Sequence, residues 1–122
     1  MASLLLNSNL WISASLILML CGACEQVAFA APREICPARS GDLVKNIYIF
    51  NGKPEEEVFL APDDDRAGQS TYTVSDIYQD GRFVTVRCKY VSGFSVDVEL
   101  KEKISKCLFS EKTPAGEMLR CQ

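Results

Sequence analysis

Histidine is absent from all 122 residues. With it go the commonest general base and the commonest metal-binding side chain. A Ser-His-Asp triad, a Cys-His dyad and a histidine-ligated catalytic zinc are therefore excluded together. A basic surplus is missing too: 13 Lys+Arg stand against 16 Asp+Glu, for a net charge of −3 and a pI near 4.9. That balance speaks against a nucleic-acid binder, which needs clustered cations for phosphate. No Gly-x-Ser-x-Gly occurs, and Ser40-Gly41 and Ser92-Gly93 read as turn dipeptides. There is no internal repeat and no low-complexity tract. The length allows one domain.

What is present begins with an address. Leu10 to Leu20 is an uncharged apolar run, and Ala28-Phe29-Ala30 follows as an Ala-x-Ala cleavage pattern. The run is shorter than the ~20 apolar residues of a comfortable membrane span. Residues 1–30 are expected to be a signal peptide cut after Ala30, leaving residues 31–122 as a single periplasmic domain. The stretch Met1 to Asn9 lacks the usual Lys or Arg. An alternative processing route is lipidation at Cys24, where Gly22-Ala23 ahead of the cysteine gives a peptidase room to approach. Only that route would tie the domain to a membrane.

Of six cysteines, Cys21 and Cys24 leave with the leader, while Cys36, Cys88, Cys107 and Cys121 remain. An even number in a short exported chain reads as two disulfides. Four cysteines admit three pairings; antiparallel pairing of the last two segments would set Cys107 opposite Cys121, which favours Cys107–Cys121 with Cys36–Cys88. None of the four forms a Cys-x-x-Cys, so neither a zinc site nor a thiol oxidoreductase is indicated. No metal and no cofactor is expected. The bridges act as staples, each commonly adding ~2–4 kcal/mol to a domain with a small core.

The expected fold is α+β, mainly an antiparallel β-meander with a short helix. Asn46 to Phe50 is apolar on both faces, so it should be a central, covered strand ending at Asn51-Gly52. Pro54 to Leu60 fits one or two helical turns, with Pro at the start, acids at the positive end of the dipole, and Pro62 as the stop. Asp63 to Gln69 is a polar loop. Thr71 to Tyr78 is strand-prone and Asp80-Gly81 is a hairpin signal. Arg82 to Tyr90 follows, with Val84, Val86, Cys88 and Tyr90 on one face. After Ser92-Gly93, the residues Phe94, Val96, Val98 and Leu100 alternate with Ser95, Asp97, Glu99 and Lys101, the cleanest half-buried strand in the chain. Glu102 to Lys106 fits one helical turn. Cys107-Leu108-Phe109 and Met118 to Cys121 read as a final hairpin.

Two features stand out as candidate binding residues. The first is the acidic block Glu55, Glu56, Glu57, Asp63, Asp64 and Asp65, whose local field suits a basic partner. It lacks the alternating Asp-x-Asp-x-Asp-Gly order of a calcium loop. The second is the aromatic set Tyr48, Tyr72, Tyr78, Tyr90 and Phe83, since aromatic side chains anchor interfaces when exposed. Phe83 falls on the polar side of its strand, so it is either partner-facing or covered by a second layer. A carboxylate pair for glycoside hydrolysis is not marked out, and a domain this small has little room for a substrate cleft. Neither an enzyme nor a small-molecule substrate is expected.

Three segments together carry a resemblance. They are Cys36-Pro37; Ile47-Tyr48-Ile49-Phe50-Asn51-Gly52-Lys53-Pro54-Glu55-Glu56 with Leu60-Ala61-Pro62-Asp63; and Val86-Arg87-Cys88-Lys89-Tyr90 followed by Val96-x-Val98-x-Leu100 and Cys107. The pattern resembles a family of small exported bacterial proteins, some of them similar to periplasmic immunity proteins of type VI secretion systems. The family usually has a Trp ahead of Cys-x-Tyr, whereas the single Trp here is Trp11 in the leader. The resemblance implies a periplasmic partner-binding protein that neutralises a secreted cell-wall-targeting effector, of the L,D-transpeptidase-like kind. It implies no catalytic residues. Alternatives are a lysozyme-inhibitor-like binding protein, against which Val96 stands where one such family has Tyr after Ser-Gly-x-x, and a structural envelope protein.

Overall fold

The computed structural model describes residues 31–122, so the expected signal peptide, its cleavage site and Cys24 lie outside the described residues. The strands are β1 (Arg33–Glu34), β2 (Val44–Asn51), β3 (Asp64–Arg66), β4 (Gln69–Thr73), β5 (Val84–Tyr90), β6 (Ser95–Leu100), β7 (Lys106–Thr113) and β8 (Gly116–Cys121), with one short helix, α1 (Ser75–Gln79). They form one sheet in the order β3-β4-β7-β8-β2-β5-β6, with β1 added to β8. The class is α+β and mainly antiparallel, as the composition and alternation lead one to expect. Both disulfides are present, Cys36–Cys88 and Cys107–Cys121.

Alternation places the core. In β5, Val84, Val86, Cys88 and Tyr90 are all buried, and β6 meets them with Val96, Val98 and Leu100 in register. Ile47 and Ile49 of β2 continue the same layer across β5. On the other side Cys107 faces Cys121 and Phe109 faces Leu119, and Tyr72 of β4 lies opposite Cys107. Val74, Ile77 and Ile104 complete this core from outside the strands. β2 is indeed central, with β5 on one edge and β8 on the other.

β2 and β8 touch as parallel strands only at Val44 and Gly116. There the backbones are so close that any Cβ on Gly116 would collide with the Val44 carbonyl oxygen, and φ is +92°. Only glycine serves both needs. Beyond this point the two strands part. β1 takes the freed edge of β8, with Ile35 N–H donating to the Leu119 carbonyl at 2.9 Å. Residues 58–60 take the freed edge of β2, through Asn51 N–H to Val58 O and Leu60 N–H to Ile49 O, both 2.9 Å. Glu117 plugs the fork by accepting a hydrogen bond from Ile47 N–H at 2.7 Å.

Several local expectations are corrected. The helix expected over 54–60 is only a 3-10 turn, Pro54–Glu56. Glu57 leaves it with φ 56°, and Phe59 stacks on Phe50 with centroids 4.7 Å apart. Pairing with β2 outweighs the helical preference of three glutamates. The strand expected over 71–78 stops at Thr73 and becomes α1, because Val74 and Ile77 bury at helical spacing. Asp80-Gly81 then closes α1, through Asp80 N–H to Asp76 O and Gly81 N–H to Tyr78 O, in place of turning a hairpin. Consequently β4 pairs with β3 and β7, not with β5. The polar loop 63–69 contains β3, and 102–106 is not helical among the described residues.

Candidate interaction surface

The sheet has an outer face as ordered as its core. On β2, β5 and β6 the outward residues lie in rows: Tyr48 opposite Arg87 opposite Asp97, and Phe50 opposite Thr85 opposite Glu99. β2 thus contributes Tyr48 and the covered Phe50, β5 Arg87 and the buried Thr85, and β6 the acids Asp97 and Glu99. The Arg87 guanidinium donates twice to the Asp97 carboxylate, at 2.7 and 2.9 Å. That bidentate pair holds the Asp97 carboxyl below the usual carboxylate range and raises Arg87. Arg87 also lies 5.6 Å from the Phe50 ring centroid, and Lys89 Nζ lies 5.5 Å from that of Tyr48.

The apolar part of this face is Tyr48 and Phe59. Their exposures are 36% and 58%, large for aromatic side chains that lie together. Tyr48 meets Phe59 edge to face at 6.2 Å, and Phe59 covers the fully buried Phe50. The ridge is held on both sides, because residues 58–60 are hydrogen-bonded along β2.

Among the tyrosines, only Tyr48 belongs to this surface. Tyr90 is buried and donates to the Pro37 carbonyl. Tyr78 donates to the Leu100 carbonyl at 2.6 Å. Tyr72 packs against the core, and burial with the charges of Asp65 and Glu117 raises its phenol. Phe83 is half-buried beside a shallow hollow lined by Gly52, Lys53, Glu56 and Arg82.

The acidic block is not one cluster. Glu56 pairs with Arg82, and the pair lies so closely over Gly52 that a Cβ there would strike both groups. Asp63 accepts from Thr73 N–H, Asp64 pairs with Arg66 at 2.9 Å, and Asp65 accepts from Ser70 Oγ at 2.7 Å. These three brace the β3–β4 hairpin, at the opposite end of the strand order from β5. Glu55 and Glu57 are exposed and have no ion pair among the described residues. Glu55 is within electrostatic reach of Arg87. Of the six acids, only these two have neither an ion pair nor a side-chain hydrogen bond among the described residues.

Sequence reasoning placed Asp97 and Glu99 on the polar side of their strand but missed Phe59, Arg87 and Lys89 as surface residues. The period-2 alternation did carry a signal for the last two, since it points them away from the core. Phe59 carried none, because a helical reading hides it.

Among the described residues no group of three or more His, Cys, Asp and Glu is placed to hold a metal ion. A hollow between Gly68 and Pro114 is an open depression whose one lining carboxylate is Glu111. Comparison with protein-family models, with curated proteins and with solved structures finds no match to this chain.

Proposed function

We propose that this chain is a non-enzymatic periplasmic binding protein that captures and neutralises a cell-wall-active enzyme. Its most specific form is an immunity protein against a type VI secreted, L,D-transpeptidase-like effector. One observation carries the binding role: the solvent-exposed aromatic ridge Tyr48–Phe59 on a sheet braced by two disulfides. Exposed aromatics on a rigid support lose little conformational entropy on docking, and such residues concentrate binding energy. The disulfides themselves belong to an oxidising compartment outside the cytoplasm, where such an enzyme is met. The exposed Glu55 and Glu57 suit the rim of a basic active-site cleft, where charge governs encounter rate and partner choice. The resemblance of the Asn-Gly-x-Pro-Glu-Glu block to exported immunity-like proteins supports the identity of the target class.

The experiment is capture. The tagged mature domain is exported, retained proteins are identified after a salt wash, and any recovered enzyme is assayed on peptidoglycan with and without the domain. Stoichiometric recovery of an L,D-transpeptidase-like enzyme with loss of its activity supports the immunity reading. Recovery of a lysozyme-like enzyme instead would make the chain a lysozyme inhibitor. Recovery of neither, with the effectors demonstrably expressed, would leave a structural envelope role.

A further inference from the structure

We infer that the free edge of β6 is a strand-addition site for a partner segment that alternates basic and apolar residues. The inference is independent of the partner's being a cell-wall enzyme. β6 ends the strand order, with β5 on one side and no strand on the other among the described residues. The hairpin joining them closes with Tyr90 N–H donating to Phe94 O at 2.9 Å. In an antiparallel ladder hydrogen-bonded and non-bonded pairs alternate, so Cys88/Val96, Val86/Val98 and Val84/Leu100 are the bonded pairs that follow. The backbone N–H and C=O groups of Ser95, Asp97 and Glu99 therefore point outward. No backbone hydrogen bond outside the ladder reaches them among the described residues.

Such an edge invites pairing, and proteins usually blunt it with proline, a bulge, very short length or inward charge. β6 has six residues in unbroken register with β5, and neither Pro nor Gly. The opposite edge strand, β3, has only three residues. What β6 does carry selects its partner. Its outer face shows Ser95, Asp97 and Glu99, while Val96 and Val98 are half-buried on the core face. Asp97 already accepts from Arg87 on its β5 side and Glu99 lies 3.9 Å from Lys101, yet both carboxylates stay exposed, so a basic residue on the open side adds a second cation to each. A strand laid beside it places its own side chains next to these on both faces. Opposite charges across strands stabilise and like charges destabilise. Basic residues on one face and apolar residues on the other thus match β6 throughout. A second copy of β6 does not: antiparallel self-pairing about Asp97 sets two aspartates face to face. The acids therefore act against self-association while favouring a basic strand, which is strand addition with a built-in selectivity.

The probe is a six-residue peptide of alternating lysine and valine, titrated into the intact mature domain with amide hydrogen exchange as the readout. The expected result is slowed exchange at Ser95, Asp97 and Glu99 specifically. A peptide N-methylated at its pairing amides keeps the charge but loses the hydrogen bonds, and should bind roughly tenfold more weakly or worse. The Asp97→Lys, Glu99→Lys double variant should lose the lysine peptide and gain the matching glutamate–valine peptide. Exchange unaltered at these three amides overturns the proposal, as does binding indifferent to N-methylation. The N-methylated peptide tests the unmodified protein, so misfolding of the double variant would not rescue or sink the idea.

Discussion

The two wings of the sheet share a core and a pattern, yet they are used differently. In the β2–β5–β6 wing the outer face presents Tyr48, Arg87 and Asp97 in one row and ends in a six-residue open edge. In the β4–β7–β8 wing the same outward positions hold Thr71, Leu108, Ser110 and Arg120, and the wing ends in the three-residue β3. The acids of that second edge are spent on Ser70, Thr73 and Arg66. The disulfides follow the same division. Cys36–Cys88 ties the first wing's central pair of strands to the chain start across 52 residues, whereas Cys107–Cys121 staples one hairpin across 14. Stability is thus secured locally in one wing and over long range in the other, and the long-range staple lies beneath the surface proposed to bind.

The largest effect should come from that staple. Loop-closure entropy assigns the 52-residue bridge about 4 kcal/mol and the 14-residue bridge about 3 kcal/mol. Denaturant unfolding of Cys36→Ala/Cys88→Ala against Cys107→Ala/Cys121→Ala should rank them in that order. The reverse order would mean that hairpin packing, not chain entropy, sets the cost. Next comes Phe59→Ala, which should weaken partner capture by about 2 kcal/mol, near thirtyfold, as for an interface anchor. Leu108→Ala on the other wing, also exposed, should leave capture unaltered. Equal losses at both sites would erase the functional contrast between the wings.

A gain is expected at Thr85. It is fully buried on the outer face, and its hydroxyl lacks a hydrogen-bond partner. Thr85→Val should add about 1 kcal/mol by removing an unsatisfied polar group. Thr71→Val, half-exposed at an outward position on β4, should stay within about 0.5 kcal/mol of the parent. A shift in the unfolding midpoint with no change in slope would identify the gain as stability.

The smallest contrast is in pH dependence, where the signs oppose. Asp97 is held low by Arg87, so its contribution is present at neutral pH and is lost as pH falls through its native pKa. Glu117, in the fork, is raised by burial and by the charge of Glu111, with the Ile47 N–H bond pulling the other way. Its ionised form is a penalty at neutral pH, relieved as pH falls through the raised value. Acid titration of unfolding should therefore flatten in opposite directions for Asp97→Asn and Glu117→Gln. Parallel changes would show that neither pairing is the one at work.

Much of the fold was legible in particular residues. The alternation from Phe94 to Leu100 named β6 and its buried face, and Val84, Val86, Cys88 and Tyr90 named the core of β5. Cys107 and Cys121 were readable as cross-strand partners because a hairpin brings its two arms into register. Of the strand expected over Thr71 to Tyr78, the part from Val74 onward was misread, since β-branched and aromatic residues favour a strand until burial of Val74 and Ile77 requires a helical turn. The sequence listed the six acids as one block, whereas the structure separates them: Glu56 and Asp63 to Asp65 are occupied by partners distant in the chain or across a hairpin, and Glu55 and Glu57 are not.

Left to itself, the sequence determined the class of fold, the pairing tendency of its strands, the four cysteines available to bridge, and the absence of histidine chemistry. These depend on period, composition and near neighbours, which a linear chain displays directly. Only the tertiary structure decided that Tyr48 and Phe59 are outside while Tyr72, Tyr78 and Tyr90 are tied in, and that the fork between β2 and β8 is filled by residues 58–60, β1 and Glu117. Exposure and free charge depend on which distant segments meet. Those meetings are settled by competition for strand edges and buried volume, which no local stretch of residues records.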